Sequence, residues 1–137
     1  MRKELLASAT AFFPVPAAQL WKVVTDNKDT AWRSDLIKVE MKADGSWLEY
    51  AKGGGCTQFT IYCWQPLERY GFTMENKYFS GIWEGFLQER TNGTQWSMKE
   101  MIYVKNPFIA FIARNFWPLE KIQQQYLADL AAKLSEK

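Results

Sequence analysis

The chain has 137 residues, of which 47% are apolar and 23% are charged, and its formal net charge is +2. This length predicts one domain over residues 1–137, and the balanced charge argues against a nucleic-acid partner. Histidine is absent, which excludes Ser-His-Asp and Cys-His nucleophiles and histidine-ligated metal sites. We expect no bound metal or cofactor.

The N-terminal segment predicts a strand rather than a secretion signal. Arg2 and Lys3 precede apolar residues, but Glu4 and Ser8 interrupt the apolar run. No apolar run in the chain approaches the ~20 residues that are needed to span a bilayer. We therefore expect a strand over residues 4–13 and no stable membrane insertion.

A short helix is predicted after this strand. Pro14 and Pro16 end the strand because proline cannot donate to a β-ladder. Pro16 also suits the first turn of a helix. Apolar residues then recur at helical spacing from Ala17 to Val24, so we expect a helix over 16–25. A second, short helical turn is predicted over 27–32.

From Leu36 onward the apolar period changes to two, which predicts strands. Asp44-Gly45 and Asn92-Gly93 are typical of hairpin turns with positive φ. Short connections between successive strands indicate an antiparallel meander, since parallel neighbours need long crossovers. The predicted strands cover residues 36–42, 46–52, 56–65, 68–78, 81–91 and 94–104.

Both cysteines fall in one of these strands. Cys56 and Cys63 would be roughly 23 Å apart in an extended chain, whereas a disulfide needs Cα atoms within about 7 Å. They cannot pair with each other there. Free thiols are typical of a reducing compartment, so we expect a cytoplasmic location.

The last predicted element is a helix that runs from Asn106 to the C-terminus. Asn106 suits the N-cap and Pro107 the first turn, while Pro118 is expected to kink the helix. A curved antiparallel sheet covered by one long helix leaves space between them, so we expect a pocket for an apolar molecule. The apolar stripe of this helix comprises Ile112, Leu119, Ile122, Tyr126, Leu130 and Leu134.

This order of elements resembles the helix-grip fold of the START-like SRPBCC superfamily, and most of all its polyketide cyclase/dehydrase-type group. The resemblance covers nearly the whole chain and is carried by Val15 to Asp26, Trp32 to Leu36, Gly93-Thr94 with Glu100, and Tyr126 to Leu130. It implies an α+β fold, in which a curved antiparallel sheet of about seven strands wraps around the C-terminal helix and two short helices follow strand 1. It also implies a hydrophobic cavity between sheet and helix. The superfamily has no universal catalytic motif, so no catalytic residue is transferred.

Strand alternation selects the residues expected to face this cavity. Glu100 shares a face with apolar neighbours, and Glu49 shares one with Trp47, so each is a satisfied buried carboxylate, a carboxylate at the cavity rim, a ligand anchor or an acid–base group. Arg33 is expected to pair with one of them, to bind an anionic ligand head or to lie on the surface. Gln123 is a further polar candidate on the helix. The full set of ligand-binding candidates is Arg33, Glu49, Phe72, Met74, Asn76, Trp83, Trp96, Met98, Glu100, Phe111, Asn115, Leu119 and Ile122.

Three functions remain open from the sequence. The favoured one is non-catalytic binding of a hydrophobic small molecule or lipid, by a monomer or a homodimer. The alternative is a cyclase or dehydratase-type enzyme that acts on a ketide-like substrate through Glu100 or Glu49. The third is a protein-interaction module that uses the apolar segment 108–117.

Overall fold

One antiparallel sheet dominates the computed structural model, which describes residues 4–116 and 118–136 but not the side chains of Phe111 and residues 113–116. Three helices accompany it within this described part: α1 (Ala17–Thr25), α2 (Pro107–Phe116) and α3 (Leu119–Leu134). The strands are β1 (Glu4–Phe13), β2 (Leu36–Met41), β3 (Trp47–Ala51), β4 (Cys56–Gln65), β5 (Arg69–Glu75), β6 (Phe79–Arg90) and β7 (Gly93–Val104).

The order of strands in the sheet is β1-β7-β6-β5-β4-β3-β2. Strands β2 to β7 form the predicted meander, and β1 joins it by pairing antiparallel with β7. The predicted strand positions are confirmed, with ends that differ by at most three residues. The alternating apolar pattern succeeds here because one face of an antiparallel sheet is buried and the other meets water.

The two predicted glycine turns have different outcomes. Gly45 has φ of +90°, as the hairpin prediction requires. The prediction of positive φ at Asn92-Gly93 is wrong, because neither residue lies in that region and the turn connects paired Arg90 and Gly93. Glycine is needed at position 93 for close approach, since a Cβ there would lie 2.3 Å from the carbonyl oxygen of Phe13.

The second helical turn predicted over 27–32 is not formed. Residues 26–35 make an irregular loop with isolated turns, such as the bond from Arg33 N to Thr30 O at 3.0 Å. The Asp26 carboxylate accepts from the backbone N–H of Lys28 at 3.1 Å. Local side-chain bonds of this kind compete with the helical ladder, so this segment folds as a loop.

The C-terminal helix is broken at Pro118 rather than kinked, which corrects the expectation of one helix. Asn106 caps α2 as predicted, because its Oδ1 accepts from the N–H of Phe108 at 2.8 Å. Pro118 has φ −86° and ψ 63°, outside the helical region, and proline also restricts the residue before it. Among the described residues, no helix is long and apolar enough to cross a membrane.

The core lies between the sheet and the helices that pack on it. α1 packs against β6 and β7, and α3 packs against β1. Leu20, Trp96 and Leu130 are completely buried there. In contrast, three apolar side chains of α2, Phe108, Ile109 and Ile112, are exposed. Trp117 lies outside the described residues, so the protein-interaction hypothesis stays a prediction.

Candidate functional site

A pocket of about 590 Å³ lies between the sheet and α3. Its floor consists of inward-facing residues of β3 to β7, and its sides are formed by α3, the end of α1 and the loop 26–35. The exposed glycines 53–55 lie at its rim. The volume falls within the range of small-molecule sites, roughly 300–1,000 Å³.

Most of the wall is apolar and aromatic. Strand alternation directs Tyr70, Phe72 and Met74 of β5 to the same side, towards the pocket. Phe72 stacks on Trp83 of the neighbouring strand β6 with ring centroids 4.7 Å apart. The stacked pair holds both rings in place, so this part of the wall is a flat, rigid surface.

The structure brings nine of the predicted site residues to the pocket. The members of this group come from the loop 26–35, four strands and α3, and they are Arg33, Glu49, Phe72, Met74, Trp83, Met98, Glu100, Leu119 and Ile122. Whether they bind a ligand stays a prediction. The side chains of Phe111 and Asn115 lie outside the described residues.

Two predicted residues do not line the pocket. Trp96 shares the inner face of β7 with Met98, but it is fully buried against Trp83, with centroids 5.8 Å apart. Asn76 follows the last residue of β5, so it has left the strand alternation. Its Oδ1 accepts from the N–H groups of Tyr78 and Phe79 at 2.8 and 2.9 Å, and it therefore serves a turn.

Arg33 forms the polar end of the pocket with two carboxylates. Its Nη1 and Nη2 donate to the two oxygens of Glu49 at 3.2 and 3.3 Å. Its Nε and Nη2 donate to Asp35 at 3.2 and 2.8 Å. Trp47 Nε1 also donates to Glu49, at 3.0 Å. Burial opposes the charge of Arg33, but Glu49 and then Asp35 outweigh it and raise the pKa of Arg33. Of the predicted roles for Arg33, pairing with Glu49 is the one observed.

Glu100 has a different environment from Glu49. Its Oε1 accepts from Gln123 Nε2 at 3.2 Å, and the same nitrogen donates to the carbonyl oxygen of Ala7 at 3.2 Å. Burial raises the pKa of Glu100 to about 7, although Gln123 and Arg33 act to lower it. A carboxyl group with such a pKa is present both as acid and as base near neutral pH, which general acid–base catalysis requires.

The loop 26–35 is fastened to α3 and the sheet. Ser34 donates through its N–H and its Oγ to Asp129 Oδ2 on α3, at 2.8 and 2.7 Å. Asn27 Nδ2 donates to Tyr70 Oη at 3.0 Å. Sequence reasoning missed this role of Asp129, although its position three residues after Tyr126 places both on one helical face. Nothing in the sequence around Ser34 indicates that it contacts Asp129.

The described part of the chain contains no cluster of side chains that could ligate a metal ion. No group of three or more cysteine, aspartate or glutamate side chains there is placed to hold a metal ion. Both cysteines are free, Cys56 exposed and Cys63 half-buried. The polar side chains among the described pocket residues include carboxylates, one guanidinium, amides, phenols and threonine hydroxyls.

Solved structures share this fold at low sequence identity. A START superfamily protein from Mycobacterium smegmatis matches with a TM-score of 0.77 and 11% identity, over 94% of this chain and 96% of that one. The di-domain ARO/CYC BexL, from the BE-7585A biosynthetic pathway, matches with a TM-score of 0.76 and 16% identity, over 98% of this chain and 51% of its own length. The di-domain ARO/CYC StfQ, from the steffimycin biosynthetic pathway, matches with a TM-score of 0.77 and 10% identity, over 94% and 50%.

No protein-family model matches the chain, and no curated protein matches its sequence. At these identities the structural likeness establishes the fold alone and not the function, because one fold hosts many functions. The chain has the START-like helix-grip fold, as its sequence indicates. It spans about half the length of each of the two di-domain proteins.

Proposed function

We propose that the chain binds an apolar small molecule or lipid in the pocket between the sheet and α3. The observation that supports this function is the pocket itself, about 590 Å³ of space with aromatic walls and a few polar groups. Ligand sites commonly combine a mostly apolar lining with a small number of convergent polar groups. Non-catalytic binding needs only these features.

Blocking the pocket at Ile122 is expected to weaken binding. Ile122 lies on α3 at the pocket and is 42% exposed, so Ile122→Trp places a large ring at the pocket with little strain in the core. Native mass spectrometry against a panel of fatty acids and aromatic polyketides measures the bound fraction. We expect bound ligand with the wild-type protein and a loss of at least roughly tenfold in affinity with Ile122→Trp.

The matched control is Ile109→Trp on α2. Ile109 has a similar exposed fraction, 38%, and does not line the pocket, so this variant is expected to bind as the wild type does. Equal loss of binding in both variants would mean that the pocket is not the site. Failure of the wild-type protein to retain any member of the panel would remove the proposal.

A second candidate function is dehydration of a ketide-like substrate, and Glu100 favours it. Its carboxylate would take a proton from the carbon next to the substrate carbonyl. The carboxyl group so formed would return that proton to the departing hydroxyl, which leaves as water. A carboxyl group with a pKa of about 7 is suited to both steps. The START-like fold that the chain shares with the two ARO/CYC proteins is consistent with this chemistry.

The catalytic candidate predicts that Glu100→Gln loses activity on a β-hydroxyacyl thioester. The amide cannot accept the proton, so a fall in kcat of at least roughly 10²-fold is expected. Because the base form is required first, wild-type kcat/KM is expected to rise as pH passes about 7. Glu40→Gln on exposed β2 is the control. Turnover by Glu100→Gln at the wild-type rate would exclude Glu100 as the catalytic group.

A further inference from the structure

The charged side chains around the pocket are strongly biased towards acids. Among the described residues that line it, Arg33 is the only base. Five acidic residues share the lining with it: Asp26, Asp35, Glu49, Glu100 and Asp129. A ligand that enters the pocket therefore meets a negative field from several sides, and this field is stronger than in bulk water because the walls are apolar.

Arg33 is not free to compensate this field. Four hydrogen bonds from its guanidinium go to Glu49 and Asp35, and the group has five N–H donors in all. The remaining face of the guanidinium lies over the Tyr126 ring, 5.6 Å from its centroid. A carboxylate that approached Arg33 would have to come close to both acidic partners, so Arg33 cannot serve as an anion anchor in this arrangement.

In the described part of the chain, two acceptors with unused hydrogen-bonding capacity, Gln123 Oε1 and Glu100 Oε2, belong to residues that line the pocket. Gln123 is 2% exposed, and its Oε1 is buried without a partner in the described structure, while its Nε2 is fully engaged. Glu100 accepts from Gln123 through Oε1, and its Oε2 has no bond to a described residue. A buried acceptor without a donor is costly, so a ligand donor placed here would remove an existing penalty.

We infer that the polar end of the bound molecule is a hydrogen-bond donor without negative charge, either a hydroxyl or a protonated amine. This group donates to Glu100 and to Gln123 Oε1. Ligands with a carboxylate at this end are excluded. This inference rests on the proposed binding function. It replaces the fatty-acid type of ligand, whose head would need a free Arg33, with an apolar alcohol, phenol or amine.

Three probes with one apolar body test the inference: 4-octylphenol, 4-octylbenzylamine and 4-octylbenzoate. Isothermal titration at pH 8 is expected to give measurable binding of the phenol and the amine, and affinity for the benzoate at least roughly tenfold lower. Benzoate binding as tight as that of the phenol would overturn the inference while leaving the binding function intact. Binding of none of the three would overturn the proposed function and the inference with it.

Two variants assign the selectivity to residues. Glu100→Gln is expected to weaken binding of the amine relative to that of the phenol, because the amide presents no negative charge to the ammonium group. Glu49→Gln relieves Arg33 of one acidic partner and is expected to raise benzoate affinity roughly tenfold. Glu40→Gln, on the exposed edge strand β2, removes the same charge away from the pocket and should change none of the affinities. Unchanged selectivity in both pocket variants would overturn the inference.

The affinity for the amine probe is also expected to depend on pH. Glu100 faces Gln123 of α3 and is influenced by Arg33 of the loop. On its other side it borders a shallower depression lined by Glu84, Lys99 and Glu120. Protonation of Glu100 removes the charge that attracts the amine, so amine affinity is expected to fall from pH 8 to pH 6 in the wild type and to stay level in Glu100→Gln. An equal fall in both proteins would contradict the role of Glu100.

Discussion

Replacement of Arg33 by methionine is expected to lower the free energy of unfolding at pH 7 by about 3–5 kcal/mol. The variant leaves Glu49 buried, with the indole N–H of Trp47 as its remaining donor among the described residues, and deprives Asp35 of its cation. Removal of one partner from a buried ion pair exposes the remaining charge to an apolar environment without compensation. The size of the effect reflects this uncompensated charge more than the strength of the pair.

Urea denaturation followed by tryptophan fluorescence measures this change. Arg90→Met is the matched control, because Arg90 is exposed and, among the described residues, its guanidinium donates hydrogen bonds only to the side chain of Gln95. It is expected to stay within about 0.5 kcal/mol of the wild type. The double variant Arg33→Met with Glu49→Gln should recover part of the loss. A single variant as stable as the wild type would show that the pair is not buried in solution.

Replacement of Glu100 by glutamine is expected to stabilise the protein above neutral pH. Folding raises the pKa of Glu100 from its ordinary value of 4.5 to about 7. The folded state therefore holds the proton more tightly than the unfolded state does. The stability that this proton contributes is fully present below pH 4.5 and is lost as pH rises to about 7. The loss amounts to about 3 kcal/mol, because a tenfold difference in proton affinity corresponds to about 1.4 kcal/mol.

The amide has the shape of the protonated carboxyl group and does not ionise. Glu100→Gln is thus expected to be more stable than the wild type by up to about 3 kcal/mol at pH 8, and to match it near pH 4. Urea denaturation at both pH values tests this difference, with Glu40→Gln as the exposed control. A variant that is less stable than the wild type at pH 8 would mean that the ionised carboxylate is well solvated in the folded protein.

Together with the binding and turnover experiments, this result separates function from stability. A residue that is retained although its replacement strengthens the fold is typical of functional sites, where activity is favoured at the expense of stability. Increased stability of Glu100→Gln with loss of amine selectivity or of turnover would identify Glu100 as a functional group. Increased stability with no other change would leave it a buried charge without a role.

Most of the fold could be predicted from the sequence because its signals are local. Period-two alternation located the six strands from β2 to β7, and Asn106 marked the start of α2 through its side-chain cap. Pro118 was recognised as a disruption, but propensity alone does not distinguish a kink from a break. The sequence does not predict the loop 26–35, because its shape depends on bonds to distant partners such as Asp129 as well as on the local Asp26 bond.

The candidate site was predictable to the level of the strand face and no further. Alternation gave Met98, Glu100 and Trp96 the same face of β7, yet it does not say how far along the strand the pocket extends. Trp96 lies near the start of β7, where it is fully buried against Trp83, and is therefore core. The bidentate pairing of Arg33 with Glu49 joins a loop to a strand, and a single sequence carries no signal of such a contact.

The pairing of the first strand with the last has a consequence for the order of folding. β1 pairs along its length with β7, and Tyr103 Oη donates to Glu4 across a separation of 99 residues. Contacts this distant in sequence form slowly, because the intervening chain must first be ordered. During synthesis on the ribosome, β1 cannot pair with β7 until residues 93–104 have been added to the chain. Since α3 packs against β1, the pocket between the sheet and α3 is expected to form only in the final stage of folding.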